Sequence, residues 1–428
     1  MGLTVAYPSD NLHSLTFLSS RSFFIYLYAP LIKDFFGKAF FINERFVVMG
    51  MEFELKESEK AFQRIARQFA ETEVMPRAAE IDKKGKFPRD LVKRMAELKL
   101  YGIPFPREYG GASATMASYV AVVEELSRAS ASIGFLSSAG LITIFPIHYA
   151  GTEEQKQKYL RPLCEGTKLG AFALTEPSAG SDPTAMGTNA VHEGDEYLLN
   201  GRKAYITNTS VADIYIVFAY TDKGKKRAGM SAFIVEKGTK GFSFAGINDM
   251  LGMRSCIVGG LKFNDCRVPE ENLLGSEGDG FKIAMGTLDR DRIAMSSVGV
   301  GITQACLDIS KKYAKERRQS SQPIANFQAV QFMLADMAVE VEAARLLTYK
   351  AAHLADKGEK ITKYASIAKL YASEVAQRAA TNAVQIHGGY GCTKECPAER
   401  YYRDAKILSI AVGTSEIQRL VIARDELL

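Results

Sequence analysis

Several short runs in this chain carry residue types that could do chemistry. Leu288-Asp289-Arg290-Asp291-Arg292 alternates carboxylate and guanidinium within a long helical pattern. Taken alone, Asp291 reads as pairing with Arg292 or another neighbour on a polar helix face. Phe172-Ala173-Leu174-Thr175-Glu176-Pro177-Ser178-Ala179-Gly180-Ser181-Asp182 ends in a Pro, Gly and Ser cluster, which alone is a loop. Gly180 would let backbone N–H groups approach a phosphate that a side chain would hold off. Gln385-Ile386-His387-Gly388-Gly389-Tyr390-Gly391 closes a helical pattern on glycines, a C-cap and only weak evidence for phosphate. Lys315-Glu316-Arg317-Arg318-Gln319 reads as a charged helix end. Near the C-terminus, Gly413 and Thr414 interrupt an apolar segment, and Ile417, Leu420 and Val421 then recur at helical spacing.

The elements that must position these runs follow a clear order. Residues 51–165 read as helical: Glu59–Glu73 sets Phe62, Ile65, Ala66 and Phe69 on one face, and Pro88 to Lys99 turns Leu91, Met95 and Leu98 inward. Tyr119–Arg128 is a third helix. Ser130–Tyr149, apolar and rich in small residues, is a buried fourth, and Thr152 caps the next. Residues 166–275 change period. Tyr197–Gly201, Tyr215–Ala219, Ser231–Val235 and Gly260–Phe263 read as strands of a small antiparallel β domain. Residues 276–428 return to helix, with strong patterns over Phe281–Ala314, Phe327–Lys357 and Thr362–Ile386. The fold class is therefore mainly α with a central β domain and a C-terminal four-helix-type bundle.

The bulk numbers narrow the function classes. The chain has 428 residues, 47% hydrophobic and 24% charged, with a net charge of +5, as in an ordinary globular protein of two or three domains. No long basic run supports nucleic-acid binding. The six cysteines are scattered; free thiols are the default, although Cys392 and Cys396 lie four apart near a turn, and no metal site is indicated. Residues 1–50 are rich in aromatics, but the apolar run Phe23–Ile32 is too short to span a bilayer and lacks the features of a secretory signal. The leading reading is an extension from start-site assignment, outside the fold; a membrane-surface or partner-docking segment is the runner-up. No stable membrane insertion and a cytoplasmic setting are expected.

Taken together, in order and at matching spacing over residues 52–428, these motifs resemble the acyl-CoA dehydrogenases, an FAD-dependent family. The resemblance implies the helical, β, four-helix-bundle fold and FAD as cofactor. It places Phe172, Leu174 and Thr175 against the flavin ring, with Ser181 reaching the cofactor or the CoA pyrophosphate. Tyr205 stands where the family usually has Trp over the flavin, and this chain has no Trp at all; Thr207 lies near the ring's reactive edge. Arg317 and Gln328 would contact the FAD of a neighbouring protomer, although Ser320-Ser321 replaces the family's usual Phe-Gly. Gln385, Gly389, Thr414 and Glu416 match the pyrophosphate-contacting positions. A homo-oligomer, tetramer or dimer, is implied, with an electron-transferring flavoprotein as acceptor.

The family's usual catalytic glutamate stands just before the Gly-Thr break, and here that residue is Val412. Some members carry the base instead on the first helix of the C-terminal domain, at the position of Asp291, with Asp289 and Arg292 at CoA-contacting positions. Asp291 is one methylene, about 1.5 Å, shorter than glutamate. The expectation is an acyl-CoA dehydrogenase with Asp291 as base. Its expected substrate is an alicyclic acyl-CoA such as cyclohexane-1-carboxyl-CoA or cyclohex-1-ene-1-carboxyl-CoA, with a short branched-chain acyl-CoA as the runner-up. A non-catalytic acyl-CoA-binding relative and a nitroalkane-oxidase-like enzyme are also compatible with these residues.

Overall fold

The computed structural model describes residues 55–427; the reading of residues 1–50 lies outside the described residues. The first part is helical. Helix α1 (Glu57–Phe69) opens on acidic Glu57 and Glu59, which suit a helix N-terminus. It buries Ala66 and Phe69, with Phe62 packed behind them. Ile65 was expected on that face but is 41% exposed, because it falls beside the 62-66-69 row rather than on it. Helices α2 (Ala78–Lys84) and α3 (Arg89–Glu97) follow, with α2 stopped by Gly85 at φ +57°. Helix α4 (Met116–Ala129) is capped by the Thr115 hydroxyl, which accepts from the Ser118 N–H. Extended Ser130 separates it from α5 (Ala131–Ala150), which is apolar all round and buried.

The middle part is a twisted sheet. Its strands are β1 (Gly170–Ala173), β2 (Asn189–Glu193), β3 (Glu196–Thr207), β4 (Ile214–Tyr220), β5 (Met230–Glu236), β6 (Phe242–Ile247), β7 (Val258–Pro269) and β8 (Leu273–Leu274). They run in the order β6-β7-β3-β2-β4-β5-β8, with β1 also on β4. Most pairings are antiparallel, but β1 pairs with β4 in parallel, and β2 touches β4 in parallel through Asn189 and Tyr220. Alternation in a sequence sets the faces of a strand and not its direction, so an antiparallel reading does not reveal these parallel contacts. Strand β4 explains why the sheet holds the rest together. Ile214, Ile216 and Phe218 join the large core shared with the helices, while Tyr215, Val217 and Ala219 join a second core on the other face.

The C-terminal part is built on α6 (Gly280–Glu316), whose 37 residues span about 55 Å. It packs against α4, α5, α7 (Gln328–Asp356) and α8 (Thr362–His387). A two-residue hairpin joins α6 to α7, from β9 (Arg318–Gln319) to β10 (Gln322–Pro323). Helices α9 (Pro397–Leu408) and α10 (Ser415–Leu427) complete the described chain. Helices α5 and α6 are long and apolar enough to cross a bilayer, but their apolar stretches are 78% and 83% buried inside this fold. All six cysteines are free, and no His, Cys, Asp or Glu cluster among the described residues could hold a metal.

Candidate active site

Asp291 sits in the middle of α6 and is buried. Arg292 does not pair with it. The Arg292 guanidinium donates to Asp289 Oδ1 at 2.6 Å, and Thr362 at the start of α8 donates to Asp289 Oδ2 at 2.6 Å. Asp289 and Arg292 thus form a closed polar knot, and Arg292 Nε is left buried without a partner. Asp291 instead faces α5, where the Ser138 hydroxyl donates to its Oδ1 at 2.5 Å. That is the one hydrogen bond Asp291 makes among the described residues, so Oδ2 is available. Burial pushes the Asp291 carboxyl up to about 7, against the opposing pull of the Ser138 hydrogen bond and of Arg292. A half-ionised buried carboxyl near neutrality is poised to take or give a proton.

The Val412 turn lies between α9 and α10. Val412 takes φ +57° and Gly413 φ +90°. A β-branched residue in the left-handed region is a true outlier that costs about 1–2 kcal/mol. The surrounding side chains hold it there. Gln418 Nε2 donates to the Val412 and Gly413 carbonyls at 3.2 and 2.9 Å, and Lys369 Nζ donates to the Gly413 carbonyl at 2.7 Å. Lys369 is itself buried on α8; burial pulls its amine down to about 7, and Arg292 nearby adds to that. Thr414 accepts from the Ile417 N–H at 3.4 Å and so starts α10. Thr414 and Glu416 open onto a cleft of about 420 Å³ that Arg378, Lys406 and Arg419 also line. The α10 N-terminus and the Thr414 hydroxyl hold the Glu416 carboxyl below the usual range.

The Phe172 to Ser181 run leaves β1 and is clipped to β3. The Ala204 N–H donates to the Thr175 carbonyl at 2.9 Å. Lys203 is fully buried and donates to Glu176 Oε1 at 2.8 Å and to the Leu174 carbonyl at 3.2 Å. Glu176 also accepts from the Gly187 and Thr188 N–H groups. Burial pulls the Lys203 amine down to about 8 against the attraction of Glu176. The clip leaves Leu174 buried, Phe172, Thr175 and Thr207 half-buried and Ser181 exposed. Tyr205 sits at a β-bulge with φ +56° and is 65% exposed.

These features fit a flat aromatic cofactor with a phosphate tail. The strained bulge presents an aromatic ring to solvent. A Cβ added at Gly180 would meet no atom within 4 Å, so nothing in the chain requires glycine there. Gly388, at φ +59°, and Gly389 are equally open. The remaining predicted positions lie apart from Asp291. Arg317 is exposed at the end of α6, Gln328 is exposed at the start of α7, and Gln385 and Gly389 are exposed at the end of α8. Tyr313 and His387 stack with centroids 4.4 Å apart, which ties the α6 and α8 ends together. Residues exposed in this way on one chain are free to serve a neighbouring one. Ser138, Lys203 and Lys369 received no role from the sequence. The available signals were a serine pair in an otherwise apolar helix and single lysines among buried positions.

Family models of acyl-CoA dehydrogenases match this chain in three consecutive parts: the N-terminal domain at residues 56–167, the middle domain at 171–266 and the C-terminal domain at 278–427. The chain is 48% identical over 374 residues to a short-chain specific acyl-CoA dehydrogenase of Clostridium acetobutylicum, covering 87% of this chain and 99% of that one. It is 45% identical over 370 residues to the caffeyl-CoA reductase-Etf complex subunit CarC of Acetobacterium woodii, covering 86% and 97%. The solved structure of butyryl-CoA dehydrogenase from Megasphaera elsdenii superposes with a TM-score of 0.87 at 44% identity, covering 88% of this chain and all of that one.

Proposed function

The chain belongs to the acyl-CoA dehydrogenase family and is an FAD-dependent enzyme of that class, and from that premise we propose that it desaturates a compact, short acyl-CoA thioester with Asp291 as its base. One observation carries the assignment of the base: Asp291 is a buried carboxyl on α6 that, among the described residues, pairs with no cation and keeps one oxygen free. Val412 cannot accept a proton. FAD, when bound, supplies the hydride acceptor. Asp291 Oδ2 takes the α-proton of the thioester. Phe172, Leu174, Thr175, Tyr205 and Thr207 are the proposed flavin contacts, and Ser181, Asp289 and Arg292 the proposed CoA contacts. Arg317, Gln328, Gln385 and Gly389 would complete the FAD site across an interface, with Thr414 and Glu416 at its phosphate side.

The names of the relatives, short-chain and butyryl, favour a short acyl group. That moves the substrate away from the alicyclic acid suggested by the sequence departures alone. A cyclohexane- or cyclohexene-carboxyl group stays as the second reading, favoured by the missing carboxylate at 412 and the short reach of Asp291. The name of the Acetobacterium relative suggests an electron-transferring flavoprotein as partner. A homo-oligomer is supported by the apolar stripe Phe332, Val339 and Leu346, which recurs every seven residues along α7 and is exposed on the single chain. The deciding experiment is anaerobic bleaching of the bound flavin by a panel of esters. Butyryl-CoA should bleach fastest; faster bleaching by cyclohexane-1-carboxyl-CoA would replace the short-chain reading with the alicyclic one.

A further inference from the structure

Six buried helical hydroxyls among the described residues donate back to their own helix. Thr143, Thr287, Ser296, Ser297, Thr303 and Thr348 each bond the carbonyl four residues earlier. Ser138 differs from these. It is buried on α5, one residue after Ser137, yet its proton crosses to Asp291 Oδ1 on α6, 153 positions along the chain, at 2.5 Å. The nearby Tyr119 hydroxyl of α4 is already committed, since it donates to the Ser137 carbonyl at 2.7 Å. The titratable and charged groups facing Asp291 are Tyr119 from α4 and Arg292 on its own helix. Lys369 of α8 acts on Arg292 instead. Among the described residues Ser138 is therefore the one neutral donor to the carboxylate.

We infer that Ser138 is a positioning residue for the proton-transfer step: it holds Oδ1 so that Oδ2 faces the substrate, and it stabilises the ionised form of the carboxylate. The inference rests on the reading of Asp291 as base. A hydroxyl donated to a carboxylate favours its charged form and offsets part of the cost of burial. Removing the hydroxyl leaves the burial cost in place, so the carboxyl holds its proton to higher pH.

The test is the pH profile of flavin bleaching by butyryl-CoA in the holoenzyme for wild type, Ser138→Ala, Ser138→Thr and Asp291→Asn. An infrared titration of the protonated carboxyl band that Asp291→Asn removes runs alongside it. In Ser138→Ala the acid limb and the infrared midpoint should both move up by about one to two pH units. The rate at neutral pH should fall roughly tenfold and recover at alkaline pH, while Ser138→Thr keeps the wild-type profile. An unmoved midpoint, or an equal loss at every pH, would overturn the role of Ser138. If Asp291→Asn bleaches like wild type, the base reading fails instead, and the infrared midpoint still decides whether Ser138 tunes the carboxyl. Should Ser138→Ala not fold, Ser138→Cys, similar in size but a poor donor, is judged by the same two measurements.

Discussion

At the residue scale, the protein keeps a carboxyl where it costs stability. Asp291 has a folded-state pKa raised from the ordinary carboxylate value to about 7. The sign follows from linkage. Below pH 4 the side chain is neutral in both the folded and unfolded states. As the pH rises from about 4 to about 7 the unfolded state releases the proton while the folded state still holds it, and stability is lost over that window. Asp291→Asn, which still accepts from Ser138, should therefore melt higher than wild type at pH 8 and little differently at pH 4. The difference should be about 4 kcal/mol at most. Calorimetry at the two pH values checks this; an equal effect at both would mean that the gain is not electrostatic. Val412 makes a similar point, since its left-handed backbone is held by Gln418 and Lys369 rather than preferred by the residue. Strain of this kind fits an active-site wall better than a stability device.

At the element scale, β3 and the β1 exit loop are fastened by one buried ion pair. Lys203→Met would leave Glu176 with two backbone donors and no cation, a loss of about 3–5 kcal/mol. Because the same loop carries Thr175 and Gly180, the variant should also release flavin more readily. The double variant Lys203→Met/Glu176→Gln should recover part of the stability, and thermal melts with flavin retention measured in parallel decide it. The helices themselves were legible. The 3.6-residue pattern located α6, α7 and α8 to within a few residues, because each buries one continuous face. Ile65 misled because a residue at the edge of an apolar row cannot be told from one inside it by spacing alone. The parallel partnership of β1 and β4 was hidden because alternation carries no direction.

At the scale of the whole molecule, the site depends on contacts that no local pattern predicts. Ser138 and Asp291 are 153 positions apart and meet only because α5 and α6 pack together. Lys369 reaches the Gly413 carbonyl from α8 across 44 positions. The sequence could therefore name Asp291, through its place in a motif, but could not show that Arg292 is turned toward Asp289 and leaves Asp291 unpaired. The exposed Arg317, Gln328, Gln385 and Gly389 make sense in a larger assembly, since on one chain they stand apart from Asp291. The central claim is that the proton acceptor has moved from position 412 to position 291. It is tested most directly by the rate of anaerobic flavin bleaching with butyryl-CoA in Asp291→Asn and in Asp291→Asn/Val412→Glu. The expected result is a loss of about 10²–10⁴-fold in the single variant and partial recovery when a glutamate is returned to position 412. Bleaching at the wild-type rate in Asp291→Asn would contradict the claim.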